Sequence, residues 1–437
     1  MGGILENRQL SLFAGETEEG AEGALRERSS TFTDNMKLPI HRWFRYSAGF
    51  SAQWVEEEIK SALRLGAVRL LDPFAGAGTA LIAAEACGVP ALGTEAHPLV
   101  CRIARAKLAW REPGPSFLDL ARKVRSGAKE HGGDVPQYPP LIVKCYPPHV
   151  LAELHALKQA WQDLCDTNPA SELVWFAITA ILRPCSPVGT ALWQYVLPKK
   201  QKQNPLLPLD AYDTQVRLMA TDMRAYQQRC SGPPAKLYQD DARQCSSIPD
   251  QWANLVITSP PYANNYDYAY APLLEMAFWG DVQGWSDLHH KVRTRLVRSC
   301  TQHVSADKED LDRLLAQPEL APIINEIEPV CRHLATEKMS HGGKKQYHLM
   351  IAAYFIDLAR VWTALRRVTE TGCRVCFVIG DSAPYGVYVP VDQWLGELAL
   401  AAGFASCHFE KIRDRNIKWR NRKHRVPLHE GRLWVEG

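Results

Sequence analysis

The sequence predicts an α/β fold, in which a parallel sheet is flanked by helices and interrupted by mainly helical insertions. Three observations predict it. Short apolar segments alternate with helical ones over residues 67–110, and the alternation resumes near residue 236. The stretch between these regions has mainly helical periodicity with proline-rich connectors. Strand, turn, helix and strand in succession begin a parallel sheet, because parallel neighbours need a crossover connection.

The first half of the chain carries the opening of this sheet. A helix is expected over residues 51–65, with Val55, Ile59 and Leu63 on one face and Gly66 as its stop. The elements that follow in order are a strand over 67–71, a glycine-containing turn over 72–79, a helix over 81–87, a strand over 91–95 and a helix over 99–110.

The second half returns to the sheet after the first insertion. Strands are expected at residues 236–238 and 254–258. A long amphipathic helix has its apolar stripe between Met350 and Val368, and Gly372 is expected to end it before a strand over 373–379.

The chain is expected to divide into a tail, a core and two inserts. Its 437 residues exceed one average domain, so large insertions or a second domain are needed. Residues 1–35 are polar and rich in Gly, Glu and Ser, which predicts a disordered tail. The core is assigned to residues 36–110, 236–280 and 346–437, and helical inserts that are candidates for target recognition are assigned to residues 111–235 and 281–345.

Composition predicts a soluble protein of the cytoplasm. The chain is 46% hydrophobic and 23% charged, contains no run of eighteen apolar residues, and begins without the features of a signal peptide. Twelve cysteines in such a chain favour reduced thiols. Cys373 and Cys376 form one CxxC inside an apolar strand, without a second pair at zinc spacing, so no metal site is predicted.

A glycine-containing turn, DPFAGAGT over residues 72–79, follows the first strand. Glycines at this point let a ligand approach the backbone closely. Asp72 is at the carboxyl end of the first strand. A negative charge at this position would repel the pyrophosphate of a dinucleotide, and it would attract the ammonium group of an amino-acid ligand. Glu95 ends the next strand, where a carboxylate can hold both hydroxyls of a ribose. Together they favour an adenosyl ligand that carries an ammonium group.

A second segment, TSPPY over residues 258–262, directly follows a buried strand. Two prolines cannot continue a sheet, because neither donates a ladder hydrogen bond, and they predict a rigid loop. Such a loop could present hydrogen-bond acceptors to an exocyclic amine of a nucleic-acid base. This amine is a poor nucleophile because its lone pair is delocalised into the ring of the base. The Ser259 hydroxyl and Pro260 carbonyl would accept its hydrogens, while Tyr262 would stack on a base that has left the duplex. If the adenosyl ligand carries a methyl group on a sulfonium, that methyl group would pass to the amine by in-line displacement, helped mostly by positioning.

These segments resemble the SPPY-type amino-methyltransferases of DNA, and the resemblance covers most of residues 38–110 and 236–435. It implies a Rossmann-like methyltransferase sheet and S-adenosylmethionine as cofactor. Residues 41–51 are similar to the N-terminal cofactor segment of many members, and Asp241 resembles the acid that meets the adenine amine, with Asp240 as the alternative. The cofactor residues implied are Tyr46, Phe50, Asp72, Phe74, Gly76, Gly78, Thr79, Glu95, Ala96 and Asp241, and the catalytic ones are Ser259, Pro260, Pro261 and Tyr262.

The serine of SPPY bears on the target base. By resemblance, Ser259 favours the N4 amine of cytosine in double-stranded DNA, with adenine N6 as the alternative. A cytosine-C5 enzyme would need a cysteine nucleophile, and Cys185 fits a buried structural residue better. An RNA base-amine methylase and a non-catalytic DNA-binding subunit stay as further alternatives. Against the latter stand the intact Asp72, Glu95 and residues 259–262.

The net charge is only +3, but basic residues are clustered, most densely over residues 411–425. A charge run is usually a solvated face, and the aromatic-flanked basic clusters shift the interpretation toward a polyanion. The predicted DNA contacts are Lys199, Lys200, Arg293, Arg298, Lys344, Lys345, Arg415, Lys418, Arg420 and Arg422.

Two further partners are considered. QLSLF, from Gln9 to Phe13, resembles the short motif by which bacterial proteins dock on the replication sliding clamp. A chance pentapeptide or a strand packed on the core is the alternative. A cognate restriction endonuclease is left open, together with restriction protection, phage defence and regulatory methylation as biological roles.

Overall fold

A computed structural model describes residues 32–437, apart from residues 47–48, 132–134, 191–195, 203, 264–265, 305–308 and 416–425. Several sequence predictions fall outside the described residues: the segment from Gln9 to Phe13, and the basic residues Lys418, Arg420 and Arg422.

A seven-stranded mixed sheet lies at the centre of the fold, and a separate antiparallel pair, β3 and β4, lies in the first insert. The strands are β1 (Leu70–Asp72), β2 (Ala91–Thr94), β3 (Val188–Thr190), β4 (Val196–Gln201), β5 (Lys236–Tyr238), β6 (Ala253–Thr258), β7 (Thr369–Gly380), β8 (Ser406–Arg415) and β9 (Leu428–Glu436).

Helices surround the sheet and build the inserts. The α-helices are α1 (Ala52–Leu63), α2 (Thr79–Cys87), α3 (Pro98–Leu108), α4 (Gly114–Glu130), α5 (Pro140–Cys145), α6 (Pro148–Leu164), α7 (Pro169–Cys185), α8 (Pro208–Gln227), α9 (Leu273–Trp279), α10 (Trp285–Lys291), α11 (Leu311–Leu315), α12 (Ile324–Ser340), α13 (Tyr347–Val368) and α14 (Val391–Ala401). Short 3-10 helices are Phe32–Lys37, His41–Trp43, Ala109–Arg111, Arg293–Arg295, Thr301–His303, Pro318–Ile323 and Pro384–Gly386.

The order of the strands across the sheet is β5-β2-β1-β6-β7-β9-β8. Only β9 runs antiparallel to its neighbours β7 and β8, and the other pairings are parallel. The chain moves outward from β1 to β5 and then returns to β6 on the other side of β1. Ligands bind at such a switch point, beyond the carboxyl ends of the strands. This sheet with its flanking helices confirms the predicted α/β, Rossmann-like class.

The first elements form where the sequence predicts them. Helix α1 begins after Ser51, whose side chain accepts a hydrogen bond from the Trp54 amide. Helix α2 ends at Gly88, which adopts a left-handed φ of 73°. Asn35, inside the 3-10 helix Phe32–Lys37, is fully buried and donates to the Phe50 carbonyl. The predicted boundary of the tail at residue 35 therefore falls within described structure.

The transition from α13 to β7 differs from the prediction. The helix ends at Val368, where the apolar stripe ends, and β7 begins at once at Thr369. Gly372 does not end the helix. It lies inside the strand with a φ of 75°, in the stretch where the pairing of β7 with β6 shifts register.

Three clusters of buried side chains form the core, one on each face of the sheet and one that joins the first insert to α3. Helix α13 is the central element of one face. It is long and apolar enough to cross a membrane by length and composition, but 83% of its most apolar stretch is buried inside the protein. Among the described residues it alone meets those criteria.

Candidate active site

The carboxyl ends of β1 and β6 are joined by Asp72. Its Oδ1 accepts hydrogen bonds from the Thr258 hydroxyl at 2.6 Å and from the Phe74 amide at 3.1 Å. Its Oδ2 is buried without a hydrogen-bond partner among the described residues. Burial raises the pKa of Asp72 to about 7. A buried carboxylate oxygen left unpaired here is suited to a cationic group of a ligand.

Glu95 ties the end of β2 to the glycine turn. Its Oε2 accepts from the Gly76 amide at 2.9 Å and its Oε1 from the His97 amide at 2.8 Å. Burial raises its pKa to about 7. The Thr94 hydroxyl also donates to the Pro73 carbonyl at 2.7 Å, and the Ala75 amide donates to the Thr94 carbonyl at 2.9 Å, so three hydrogen bonds hold the turn to the end of β2.

Glycine is required at two positions of this turn. Gly76 and Gly78 have φ values of 52° and 82°, in the left-handed region that disfavours other residues. A Cβ on Gly76 would also come within 3.1 Å of the Tyr46 ring. Tyr46 therefore lies directly against the turn, which supports its predicted place in the cofactor site.

A cavity of about 60 Å³ lies between the glycine turn and residues 259–263, which we call the proline loop. It brings together eight of the residues predicted from sequence: Tyr46, Phe74, Gly76, Glu95, Ala96, Asp241, Ser259 and Pro261. Asp72, Gly78 and Thr79 shape the turn behind it. Phe50 instead packs on Trp54 in the core, edge to face at 5.9 Å.

The cavity also has walls that the sequence analysis missed. Tyr268 and the segment Arg295, Leu296 and Val297 of the second insert line it. An apolar pair between basic residues has no feature that would mark it as part of a ligand site. Its place is set by tertiary packing alone.

Asp241, and not its neighbour Asp240, faces the cavity. Both oxygens of Asp241 accept hydrogen bonds from the Arg243 guanidinium, at 2.6 to 3.0 Å. Asp240 accepts from Ser246 and Ser247, which caps the loop and helps to lower the pKa of Asp240.

An ion-pair network connects Asp241 to the second insert. Arg243 also contacts Asp357 of α13 at 3.3 Å, and the fully buried Asp357 is bound in turn by Arg298 at 2.8 Å. Arg298 further pairs with Glu309, and the Arg295 carbonyl accepts from Arg243. The network holds the segment that contains Leu296 and Val297 against the cavity.

Two arginines that the sequence predicts to contact DNA take part in internal ion pairs instead. The Arg293 side chain is only 5% exposed and pairs with Asp267 at 2.5 Å. Arg298 is bound to Asp357 and Glu309. Because their charges are neutralised inside the protein, both are better described as residues that position the second insert.

Aromatic rings and one cation surround the proline loop. The Ser259 hydroxyl donates to the Val378 carbonyl of β7 at 3.0 Å, and the Tyr262 amide donates to the Tyr268 hydroxyl at 3.2 Å. The Arg415 guanidinium lies 5.4 Å from the centre of the Tyr262 ring. Burial raises the pKa of Tyr262 well above its ordinary value, which keeps its phenol neutral.

Three of the other predicted DNA contacts lie near this loop. Lys344 and Lys345 are exposed and, with Arg415, line an open groove of about 590 Å³ beside Ala263. Lys199 and Lys200 belong to β4, but their side chains lie outside the described residues. Cys185 is fully buried at the end of α7, as expected for a structural cysteine.

The chain is similar to several type II methyltransferases. The type II methyltransferase M.AvaI, from Nostoc sp. and Anabaena variabilis, is 26% identical over 423 residues, which cover 89% of this chain and 83% of the relative. M.BsoBI from Geobacillus stearothermophilus is 23% identical, with 88% of this chain and 82% of the relative covered. M.MjaII from Methanocaldococcus jannaschii is 30% identical over 98 residues, 22% of this chain and 18% of the relative. No protein-family profile and no solved structure matches.

Proposed function

The chain belongs to the DNA methyltransferases, and we propose that it transfers a methyl group from S-adenosylmethionine to the exocyclic N4 amine of cytosine in double-stranded DNA. One observation carries the proposal. The cavity beside the acid Glu95 is also lined by Ser259 and Pro261 of the proline loop. A cofactor held by the acids would thus lie next to the loop that holds the base.

The residues around the cavity fit this cofactor. Glu95 lines the cavity and retains lone pairs for the ribose hydroxyls after accepting two backbone amides. Asp72 lies behind the glycine turn, and its unpaired Oδ2 would attract the ammonium group from there. Phe74 and Asp241 are suited to the adenine ring and its amine.

The cofactor supplies an electrophilic methyl group, and the protein supplies the position of the acceptor. The Ser259 hydroxyl donates its hydrogen to Val378 and also contacts the Tyr262 phenol, which leaves a lone pair to accept from the target amine. The Pro260 carbonyl offers a second acceptor, which favours a pyramidal and nucleophilic nitrogen. Tyr262 stacks on the flipped base. With the cofactor bound, these residues would hold the amine in line with the methyl group that the cofactor supplies, and the proton that the amine loses would pass to water.

Cytosine N4 is proposed because serine begins the PP-aromatic motif, by resemblance to cytosine-N4 enzymes. Adenine N6 is the second candidate, since serine occurs there in some members. Mass spectrometry of nucleosides decides between them, using DNA without either modification, the full chain and isotope-labelled cofactor. We expect labelled N4-methylcytosine. Labelled N6-methyladenine would overturn the choice of base, and unmodified DNA would overturn the proposed activity.

The basic residues and the inserts complete the proposal. Lys344, Lys345 and Arg415 would contact DNA, together with Lys199, Lys200, Lys418, Arg420 and Arg422, while residues 111–235 and 281–345 would read the target sequence. The protein would act in the cytoplasm, with a cognate restriction endonuclease as a further partner.

Docking on the sliding clamp through the segment from Gln9 to Phe13 is tested separately. A pull-down with the clamp should retain the wild type and lose the Leu12→Ala/Phe13→Ala variant. Equal binding by both, or binding by neither, rejects this part of the proposal.

A further inference from the structure

We propose that an aromatic groove beside the proline loop, formed by His341, Lys344, Lys345, Tyr347 and Tyr385, binds an unpaired base of DNA next to the target base. The proposal rests on the proposed function, since it assumes that a base leaves the duplex at the proline loop. It assigns a second nucleotide subsite that is separate from the stacking role of Tyr262.

The groove shares a wall with the proline loop. Its volume is about 590 Å³, and Ala263 lines it directly after Tyr262. Arg415 lines the groove and at the same time lies over the Tyr262 ring, 5.4 Å from its centre. The Ser382 hydroxyl donates to the Ala263 carbonyl and fixes the border between them. A DNA strand that delivers a base to Tyr262 would therefore pass this groove.

Two stacked rings and a third that meets them edge to face lie in the groove. Tyr385 and His341 are stacked with their centres 4.3 Å apart and their planes at 22°, and Tyr347 meets Tyr385 edge to face at 4.8 Å. The His341 side chain is 37% exposed and lines the groove. A flat base is therefore expected to extend the stack on the His341 ring.

The charge of the groove suits a phosphate next to that base. Lys344 and Lys345 are exposed, and neither has a carboxylate at ion-pair distance within the part of the chain that the structure describes. The acid that lines the groove, Asp381, is only 2% exposed and is bound by His429 at 2.6 Å. Glu337 lies beside His341 at 3.8 Å, and Arg415 pairs with Glu430 at 3.7 Å, so the positive charge of the groove comes mainly from Lys344 and Lys345.

The backbone indicates that the Tyr385 ring is functional. Tyr385 has a φ of 53° and a ψ of 17°, a left-handed conformation that a Cβ disfavours and that glycine would adopt more easily. Gly386 follows with a φ of 83°, while Gly342 and Gly343, with φ of 78° and 72°, precede Lys344. Strained residues of this kind cluster at ligand sites. Here the strain places an aromatic ring against the groove.

Duplex DNA explains why the ligand is an unpaired base. Inside a duplex both faces of each base are covered by its neighbours, so an aromatic side chain cannot stack on it. Flipping of the target removes the Watson–Crick partner of the opposite base, so this base, beside the flipping site, is unpaired and can leave its stack. An aromatic stack beside the flipping site would stabilise such a base.

The test compares binding of a short oligothymidylate with that of an abasic strand with the same phosphates, by fluorescence anisotropy with the full chain. Stacking of one base contributes about 1–3 kcal/mol, so the wild type should prefer the thymidylate by roughly fivefold to 150-fold. Tyr385→Gly removes the ring and relieves the left-handed strain, and His341→Ala removes the outer ring. Both variants should lose most of this preference, and Tyr385→Phe should keep it.

Matched variants separate stacking from charge and from the proline loop. Lys344→Ala should weaken binding of both strands equally, while Lys60→Ala, an exposed lysine on α1, should change neither. If Tyr385→Gly and His341→Ala retain the wild-type preference while Tyr262→Ala loses it, the stacking belongs to the proline loop and the proposal is overturned. Failure of the proposed function would show separately, as unmethylated nucleosides in the labelling experiment.

Discussion

Asp72 is buried and Glu95 half-buried, and removal from water raises the pKa of each to about 7, so both titrate near neutral pH. When Asp72 is protonated it cannot attract an ammonium group. Because protonation increases as the pH falls, the affinity for the proposed cofactor should decrease from about pH 8 to about pH 6. The raised pKa values of these two side chains would thus make the affinity for the proposed cofactor depend on pH near neutrality.

Asp72→Asn tests this relation. At about pH 8 the variant should bind S-adenosylmethionine roughly tenfold more weakly, which corresponds to the loss of about 1.4 kcal/mol of charge attraction. Its affinity should also depend less on pH, with Glu95 alone left to titrate. Isothermal calorimetry at both pH values measures this, and a variant whose pH dependence equals that of the wild type would contradict the role of Asp72.

Ser259 and Tyr262 should separate chemistry from cofactor binding. Ser259→Ala removes an acceptor for the target amine and should lower kcat roughly a hundredfold. Tyr262→Ala should abolish methylation by loss of stacking, while Tyr262→Phe retains the ring and much of the activity. The cofactor affinity of each variant should stay close to that of the wild type. Unchanged methylation by both alanine variants would refute the proposed mechanism.

At single positions, sequence patterns identify residues that carry a motif and miss those placed by tertiary contacts. Gly76, Glu95 and Ser259 lie at the ends of predicted strands, and they meet at one cavity because parallel strands align their carboxyl ends. Arg293 is predicted as a DNA contact because it is basic. Its partner Asp267 lies 26 residues earlier in the chain, and no local sequence pattern links the two residues.

The second insert forms one wall of the cavity between the glycine turn and the proline loop. Leu296 and Val297 reach it because Arg298 anchors the segment to Asp357 on α13. The insert is therefore mechanically connected to the cofactor site. A change in the insert on binding DNA would alter the shape of the cavity.

Arg298→Ala would break this anchor. Asp357 is fully buried, so leaving it without this partner should lower the free energy of unfolding by about 3 kcal/mol and weaken cofactor binding. The matched control is Arg360→Ala, since Arg360 is 45% exposed and its pair with Glu319 should contribute less than about 1 kcal/mol. Urea denaturation compares the two. Equal, small losses would show that the anchor does not stabilise the insert.

Helices and strands with a clear hydrophobic periodicity can be predicted from the sequence. Strands that form because they pair with a neighbouring strand cannot. Helix α1 has an apolar face and a start marked by Ser51. Strands β2 and β6 are apolar, and prolines follow each of them within a few residues. Strand β8 (Ser406–Arg415) is missed, because it is largely exposed and charged, and it forms by antiparallel pairing with β9. Gly372 likewise suggests a helix end and in fact accommodates a register shift in β7.

For the molecule as a whole, the positive groove predicts a strong effect of salt on DNA binding. Each phosphate neutralised by a lysine or arginine releases counterions, so the logarithm of the binding constant falls linearly with the logarithm of the salt concentration. Lys344→Ala should reduce the slope by about 1, and Lys60→Ala should leave it unchanged. Identical slopes for all three proteins would place the phosphate contacts elsewhere.

The order of strands has a consequence for how the chain folds. Leu70 of β1 pairs with Leu255 of β6, so the centre of the sheet cannot close until the first insert has been synthesised and its loop has been closed. Contacts so distant in sequence slow folding, whereas helices α4 to α8 pack on one another locally. We therefore expect the insert to gain protection from amide hydrogen exchange before β1 does, and the methyl-transfer site to be the last part of the protein to assemble.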